Sequence, residues 1–246
     1  MNLWSLEWLR LWRTQRLMIL AAVFGSFGLL GPLTVRFLPD LMESLGEEAV
    51  GTLPPMTAAD GVSMYIGNAL QIGILATAFV GAAALAFDAK PEIAIFLRTR
   101  AAIRDIFIPR LVVSSAAAAV MFAMGMVIAF VGTGLLIEWI DLGPVLIGTA
   151  LFMVYLVFLV AVVGLVSSFL RSVPGVALVS VGALIVIGLL SIISPLAPWL
   201  PGALIGSTDV LLSGGEFIYW RALIVTSALI AGMTTWSIHR LDHREV

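Results

Sequence analysis

Six apolar runs, near 17 to 38, 64 to 87, 109 to 137, 144 to 170, 174 to 194 and 217 to 238, constrain this chain more than any motif in it. A helix needs about 20 consecutive apolar residues to cross roughly 30 Å of hydrocarbon, and each run reaches that length. With 61% hydrophobic and 11% charged residues among 246, and a mean hydropathy of +1.12, the composition lies outside that of soluble domains. The expected fold is an all-α integral membrane protein with six transmembrane helices, residues 1 to 246 forming a single transmembrane domain. The first run follows arginines, as a secretory signal does, but it is too long for a signal's apolar region and lacks a small-x-small cleavage site. The absence of cysteine excludes disulfides and thiolate metal sites.

Charge distribution sets the expected orientation, because Lys and Arg near span ends are retained in the cytoplasm. An even number of spans puts both termini on one side. With the termini inside, Arg10, Arg13, Arg16, Lys90, Arg98, Arg100, Arg104, Arg110, Arg171, Arg240 and Arg244 all fall at cytoplasmic ends. Only Arg36 and Arg221 fall outside, among acidic outer segments. The expected location is the plasma membrane, the inner membrane of a cell that has two, with both termini cytoplasmic.

The opening stretch "NLWSLEWLRLWRTQR", residues 2 to 16, spaces Trp4, Trp8 and Trp12 by four and Arg10, Arg13 and Arg16 by three. On a helix these sets form separate stripes about 140° apart, from 100° per residue. Indoles favour the headgroup region and arginines favour phosphates and cytosol, so the stretch reads as an interfacial elbow helix anchored in membrane lipid. Its alternative is a simple inward extension of the first span.

Several chemistries are excluded or weakened. Both histidines, His239 and His243, lie beyond the last span, so no histidine is available inside the membrane, and HExxH is absent. Two ligands at i, i+4 in a basic tail do not complete a metal site, and none is expected. The single lysine, Lys90, follows "ALAFDA" and not a glycine-rich phosphate loop, so ATP hydrolysis cannot reside in a P-loop here. An ion-coupled carrier usually buries a charge near mid-membrane, and no run does so. The most polar side chains within a run are Asn68 and Gln71, spaced i, i+3 on the second helix. They read either as the lining of a substrate path or as interhelical hydrogen bonds worth about 0.6 to 2 kcal/mol.

Small residues mark expected packing faces: Gly73, Thr77 and Gly81 on the second helix, Gly25, Gly28 and Gly31 on the first, and Gly175, Gly182 and Gly188 on the fifth. The faces of the first and fifth helices are expected to pair two chains. Two segments interrupt the alternation of span and loop. "SPLAPWLPGALIGSTDVLLSGGE", residues 194 to 216, is too rich in Pro and Gly to span and too apolar for water, which predicts short re-entrant or interfacial helices capping the outer face. "DAKPEIAIFLRTRAAIRDIFIPR", residues 88 to 110, holds five cations and three acids on a helical pattern, with Ile103, Ile106 and Phe107 as an apolar anchor for a partner.

In this order the features resemble the membrane-spanning permease subunits of type-2 ABC exporters. "EIAIFLRTRAAIRDIFIPRLVVSS" is similar to that family's glutamate and arginine-bearing coupling helix, with Glu92, Arg104 and Arg110 at matching places. "GLVSSFLRSVPGVAL" resembles its turn between spans four and five, and "LAPWLPGALI" and "HRLDHREV" its outer segment and basic tail. Two positions differ: the proline that commonly opens the coupling helix is replaced near Ala101, and Pro109 stands where a small residue is usual.

The resemblance implies a permease subunit of an ATP-driven exporter of an amphipathic or hydrophobic compound, such as a drug, antibiotic or lipid-like molecule. It further implies a dimer with a second permease chain, identical or homologous, and two copies of a cytoplasmic ATP-binding subunit. ATP and Mg would then sit on that ATPase, leaving this chain with no cofactor, no catalytic residue and no nucleic-acid partner. Glu92, Arg98, Arg100, Arg104 and Asp105 become the candidates for coupling to the ATPase. A non-transporting membrane scaffold or sensor subunit is the alternative, ahead of the ion-coupled carrier.

Overall fold

The computed structural model describes residues 3–44, 56–89, 92, 95 and 99–244. Among these residues six helices are long and apolar enough to cross a membrane: Arg16–Leu41, Ala58–Leu85, Ile103–Leu136, Leu142–Ser167, Val173–Leu190 and Trp220–Asp242, here spans one to six. No strand occurs among the described residues. All-helical architecture follows from the solvent, since hydrocarbon offers no partner to a backbone amide and the helix satisfies each one within its own segment.

Two boundaries differ from the hydropathy reading, each for a local reason. Span two begins earlier, at Ala58, where the Asp60 carboxylate accepts from the Thr57 backbone N–H at 2.5 Å and closes the first turn. Span three begins at Ile103, taking in the last third of the charged 88 to 110 segment. Hydropathy places the edge near Pro109 and Arg110, but Arg110 is buried and ion-paired, so its charge does not end the helix. Ahead of span one, residues Leu3–Arg13 form a separate helix. The break lies at Thr14 and Gln15, where Gln15 takes φ 58°, a left-handed conformation that interrupts helical propagation.

The core gathers spans one to four. Phe122 of span three stacks on Phe152 of span four at 4.2 Å between centroids, faces Tyr65 of span two at 5.3 Å and meets Phe24 of span one edge-on at 5.8 Å. The Tyr65 hydroxyl donates to the Phe122 carbonyl at 2.7 Å. Glycines allow this proximity: a Cβ at Gly28 would strike the Gly125 carbonyl of span three, and one at Gly31 would come 2.6 Å from the Gly61 carbonyl of span two. The expected pairing of two chains through Gly28 and Gly31 is therefore corrected, since those positions are filled by the chain's own helices. Gly25, Gly182 and Gly188 meet nothing within 4 Å.

The 194 to 216 segment folds as short helices, the 3-10 turns Ala197–Trp199 and Pro201–Leu204 and the α-helix Ser207–Leu212, each too brief to span. It caps span four, with Thr208 seated against Gly148 and Leu204 fully buried. Ser63 of span two donates to the Asp209 carboxylate, tying the cap to a second helix.

Candidate functional site

The most organised polar structure lies at the end of the bundle that carries both termini. It starts from a third stripe of the elbow helix, Leu3, Glu7 and Leu11, spaced by four between the tryptophan and arginine stripes. Leu11 is buried, whereas Trp4, Trp8 and Trp12 are exposed, as an interfacial helix requires. Of the arginines, Arg13 is exposed and Arg10 half-buried on the elbow, whereas Arg16, expected on the same helix, is corrected to the first residue of span one, beyond the break at Gln15, and is half-buried.

Glu7 points at the start of span three. Its carboxylate accepts from Arg110 Nε at 2.9 Å, with Arg10 Nη1 at 3.6 Å on the same oxygen. Arg110 is 4% exposed, reaches the Ala84 carbonyl of span two at 3.4 Å and lies over the Phe87 ring at 5.1 Å. One guanidinium thus joins the elbow, the end of span two and the beginning of span three. An isolated buried cation is costly, and removing one member of such a pair costs about 3 to 5 kcal/mol, so the elbow is held by necessity rather than by loose interfacial packing. Glu7 was missed by the sequence reading, although it is the only carboxylate among the elbow's arginines.

About a turn and a half earlier, Arg104 and Asp105 line a groove of about 330 Å³ with Ile108 and Pro109 of span three and Leu3 and Trp4 of the elbow. The structure therefore brings two coupling candidates together with one elbow anchor. Arg100 lies in an exposed turn before span three, and Glu92 is exposed and helical. Arg98 lies outside the described residues. The single short helix expected to carry Arg98, Arg100 and Arg104 is corrected in part, because Arg104 belongs to span three and Arg100 does not. The apolar anchor is corrected too: Ile103, Ile106 and Phe107 are buried within the chain, and Phe107 fills the space over Gly164 of span four.

The tail closes the same end. Arg240 Nε and Arg244 Nη1 both donate to the Ser168 carbonyl at 3.3 Å, Arg244 Nη2 donates to Phe169, and Arg244 lies 3.8 Å from Asp88 after span two. These contacts satisfy carbonyls that the end of span four leaves without intrahelical donors. Arg171 is exposed in the turn that follows.

Asn68 immediately precedes a π-helical turn, Ala69–Gly73, within span two, and Gln71 lies inside it. A π turn leaves backbone groups out of register and recurs at functional positions in helices. Gln71 is exposed and Asn68 half-buried, and neither side chain hydrogen-bonds among the described residues. Among the described residues the interhelical bond is therefore not made; Gln71 faces outward from the bundle and Asn68 is partly covered. No group of three metal-ligating side chains occurs among the described residues.

Comparison with known proteins adds little chemistry. The chain is 22% identical over 252 residues to the uncharacterized transmembrane protein YxlG of Bacillus subtilis (strain 168), covering 98% of both chains. No family model matches it, and no solved structure matches it. The relative, like this chain, is described as a membrane protein, and its name carries no activity.

Proposed function

We propose that this chain is the permease subunit of an ATP-driven exporter, working beside a second permease chain and driven by a cytoplasmic ATPase that binds at the end carrying the termini. The observation that carries the reading is the Glu7–Arg110 pair, which fastens an interfacial helix to the start of a long span directly beside the exposed Arg104 and Asp105 groove. A partner pushing on that groove moves span three and the elbow together, because the pair cannot open without leaving a buried charge. Span three in turn is interlocked with span one at Gly28 and Gly125, so displacement at one end passes along a packed helix pair. The exposed Gln71 and the half-buried Asn68 supply polar groups within span two, which suits a path for an amphipathic compound completed by a second chain. The groove's charge, its aromatic edge at Trp4 and its position on a rigid helix suit a protein docking site with a polar rim.

Arg104→Glu tests this directly. The expected result is normal membrane insertion with weakened ATPase association, or ATP hydrolysis uncoupled from transport, and loss of export. Lipid attachment alone would lose only about 1 kcal/mol with one arginine, leaving the elbow in place. A substituted permease that still binds its ATPase and exports at the wild-type rate would remove Arg104 and its groove as the coupling contact and shift attention to the turn at Arg171 or the tail.

A further inference from the structure

The tail forms a second polar structure that coupling does not use. Trp236, His239, Arg240, His243 and Arg244 line an open cleft of about 420 Å³ at the end of span six. Its floor is fixed: Arg240 spends Nε on the Ser168 carbonyl and lies 3.9 Å above the Phe169 ring, and Arg244 is held by Ser168, Phe169 and Asp88. The two terminal nitrogens of Arg240 make no hydrogen bond among the described residues, so a pre-oriented guanidinium edge remains at the cleft. The two imidazoles stand 4.4 Å apart at the rim, and among the described residues His243 bonds only the His239 carbonyl one turn back.

We infer that this cleft binds the phosphate of an anionic phospholipid headgroup. Three observations favour a lipid over a soluble phosphate or a protein segment. Above the cleft, Leu229, Gly232 and Trp236 follow one another at three- and four-residue spacing and are all exposed, giving an acyl chain a smooth apolar track on the same helix face. Gly232 has nothing within 4 Å, so the track is open. The order from apolar residue to tryptophan to cation matches the order of acyl chain, interface and phosphate along the membrane normal. Asp88, behind Arg244, offsets one of the two arginine charges, and the carbonyl end of span six adds a partial negative charge, which leaves an excess suited to a monoanionic phosphodiester rather than a multiply charged one. The site stands independently of any ATPase, because none of its residues lies in the Arg104 groove.

The test uses the full chain in micelles doped with equal amounts of dioleoyl phosphatidylglycerol and dioleoyl phosphatidylcholine, with retained lipid counted by native mass spectrometry. Preferential retention of one phosphatidylglycerol is expected. It should fall about fivefold in Arg240→Gln, the loss of one arginine near an anionic surface. Because Arg240 also holds the turn after span four, the exposed pair His239→Ala with His243→Ala serves as a second variant, and a smaller drop with unchanged thermal stability is expected. Equal retention of the two lipids, or unchanged selectivity in both variants, overturns the site. Competition by millimolar glycerol 3-phosphate as effective as by the lipid would assign the cleft to a soluble phosphate ester and overturn the lipid assignment. ATPase association, measured in parallel, should be unaffected by the histidine pair.

Discussion

The apolar 18-residue stretches of spans four and five have nearly the same mean hydropathy, 2.7 and 2.5, yet 67% of the stretch in span four is buried in the protein and only 22% of that in span five. Span four is enclosed by spans two, three, five and six and by the outer cap, and Phe152, Phe158 and Leu159 are almost fully hidden. Span five leaves Leu178, Ile185, Val186 and Leu189 exposed. In water this contrast would appear in composition, because an exposed helix face must be polar. In a membrane both faces are apolar, and the difference between a core helix and a peripheral one resides in side-chain size and shape. Span six resembles span five, at 17% buried, so the bundle has a packed half and a half still open to lipid or a partner.

The largest expected effect breaks the packed side. Phe158→Ala should cost about 3 kcal/mol or more by leaving a cavity in the core, read as lost thermal stability in detergent, whereas Ile185→Ala in span five should change it by less than about 0.5 kcal/mol. Equal losses would mean that span five is as enclosed as span four even in a lone chain.

Glycines sharpen the contrast at a smaller scale. Gly148→Val in span four drives a side chain into Thr208 and should cost about 1 to 3 kcal/mol while loosening the outer cap, detectable as faster proteolysis within 194 to 216. Gly182→Val on span five meets open space and should be silent in the separated chain. Loss of self-association by Gly182→Val, seen in chemical crosslinking, would identify the open face as a subunit contact.

The smallest effect concerns the polar pair of span two. Joint replacement of Asn68 and Gln71 by leucine should leave single-chain stability within about 0.5 kcal/mol, since neither side chain makes a hydrogen bond among the described residues. A measurable change in transport with intact assembly would favour the substrate path, whereas destabilisation of the lone chain would contradict the observed exposure.

Much of this protein was legible without coordinates, because the bilayer permits so few solutions. Run length alone dictated six membrane-length helices, and the four-residue spacing of Trp4, Trp8 and Trp12 marked the elbow. Pro and Gly density between 194 and 216 marked a segment that could not span. What sequence left open was partnership. Gly28 and Gly182 look alike in a list of small residues, yet one abuts Gly125 and the other faces nothing within 4 Å. Arg110 reads as a charge that ends a span, but Glu7, 103 positions away, takes that charge into the protein and lets the helix continue to Ile103. Hydropathy is a property of one segment against lipid, so the sequence determines which segments enter the membrane. Close approach and charge pairing are properties of two segments at once, and only the tertiary structure decides them.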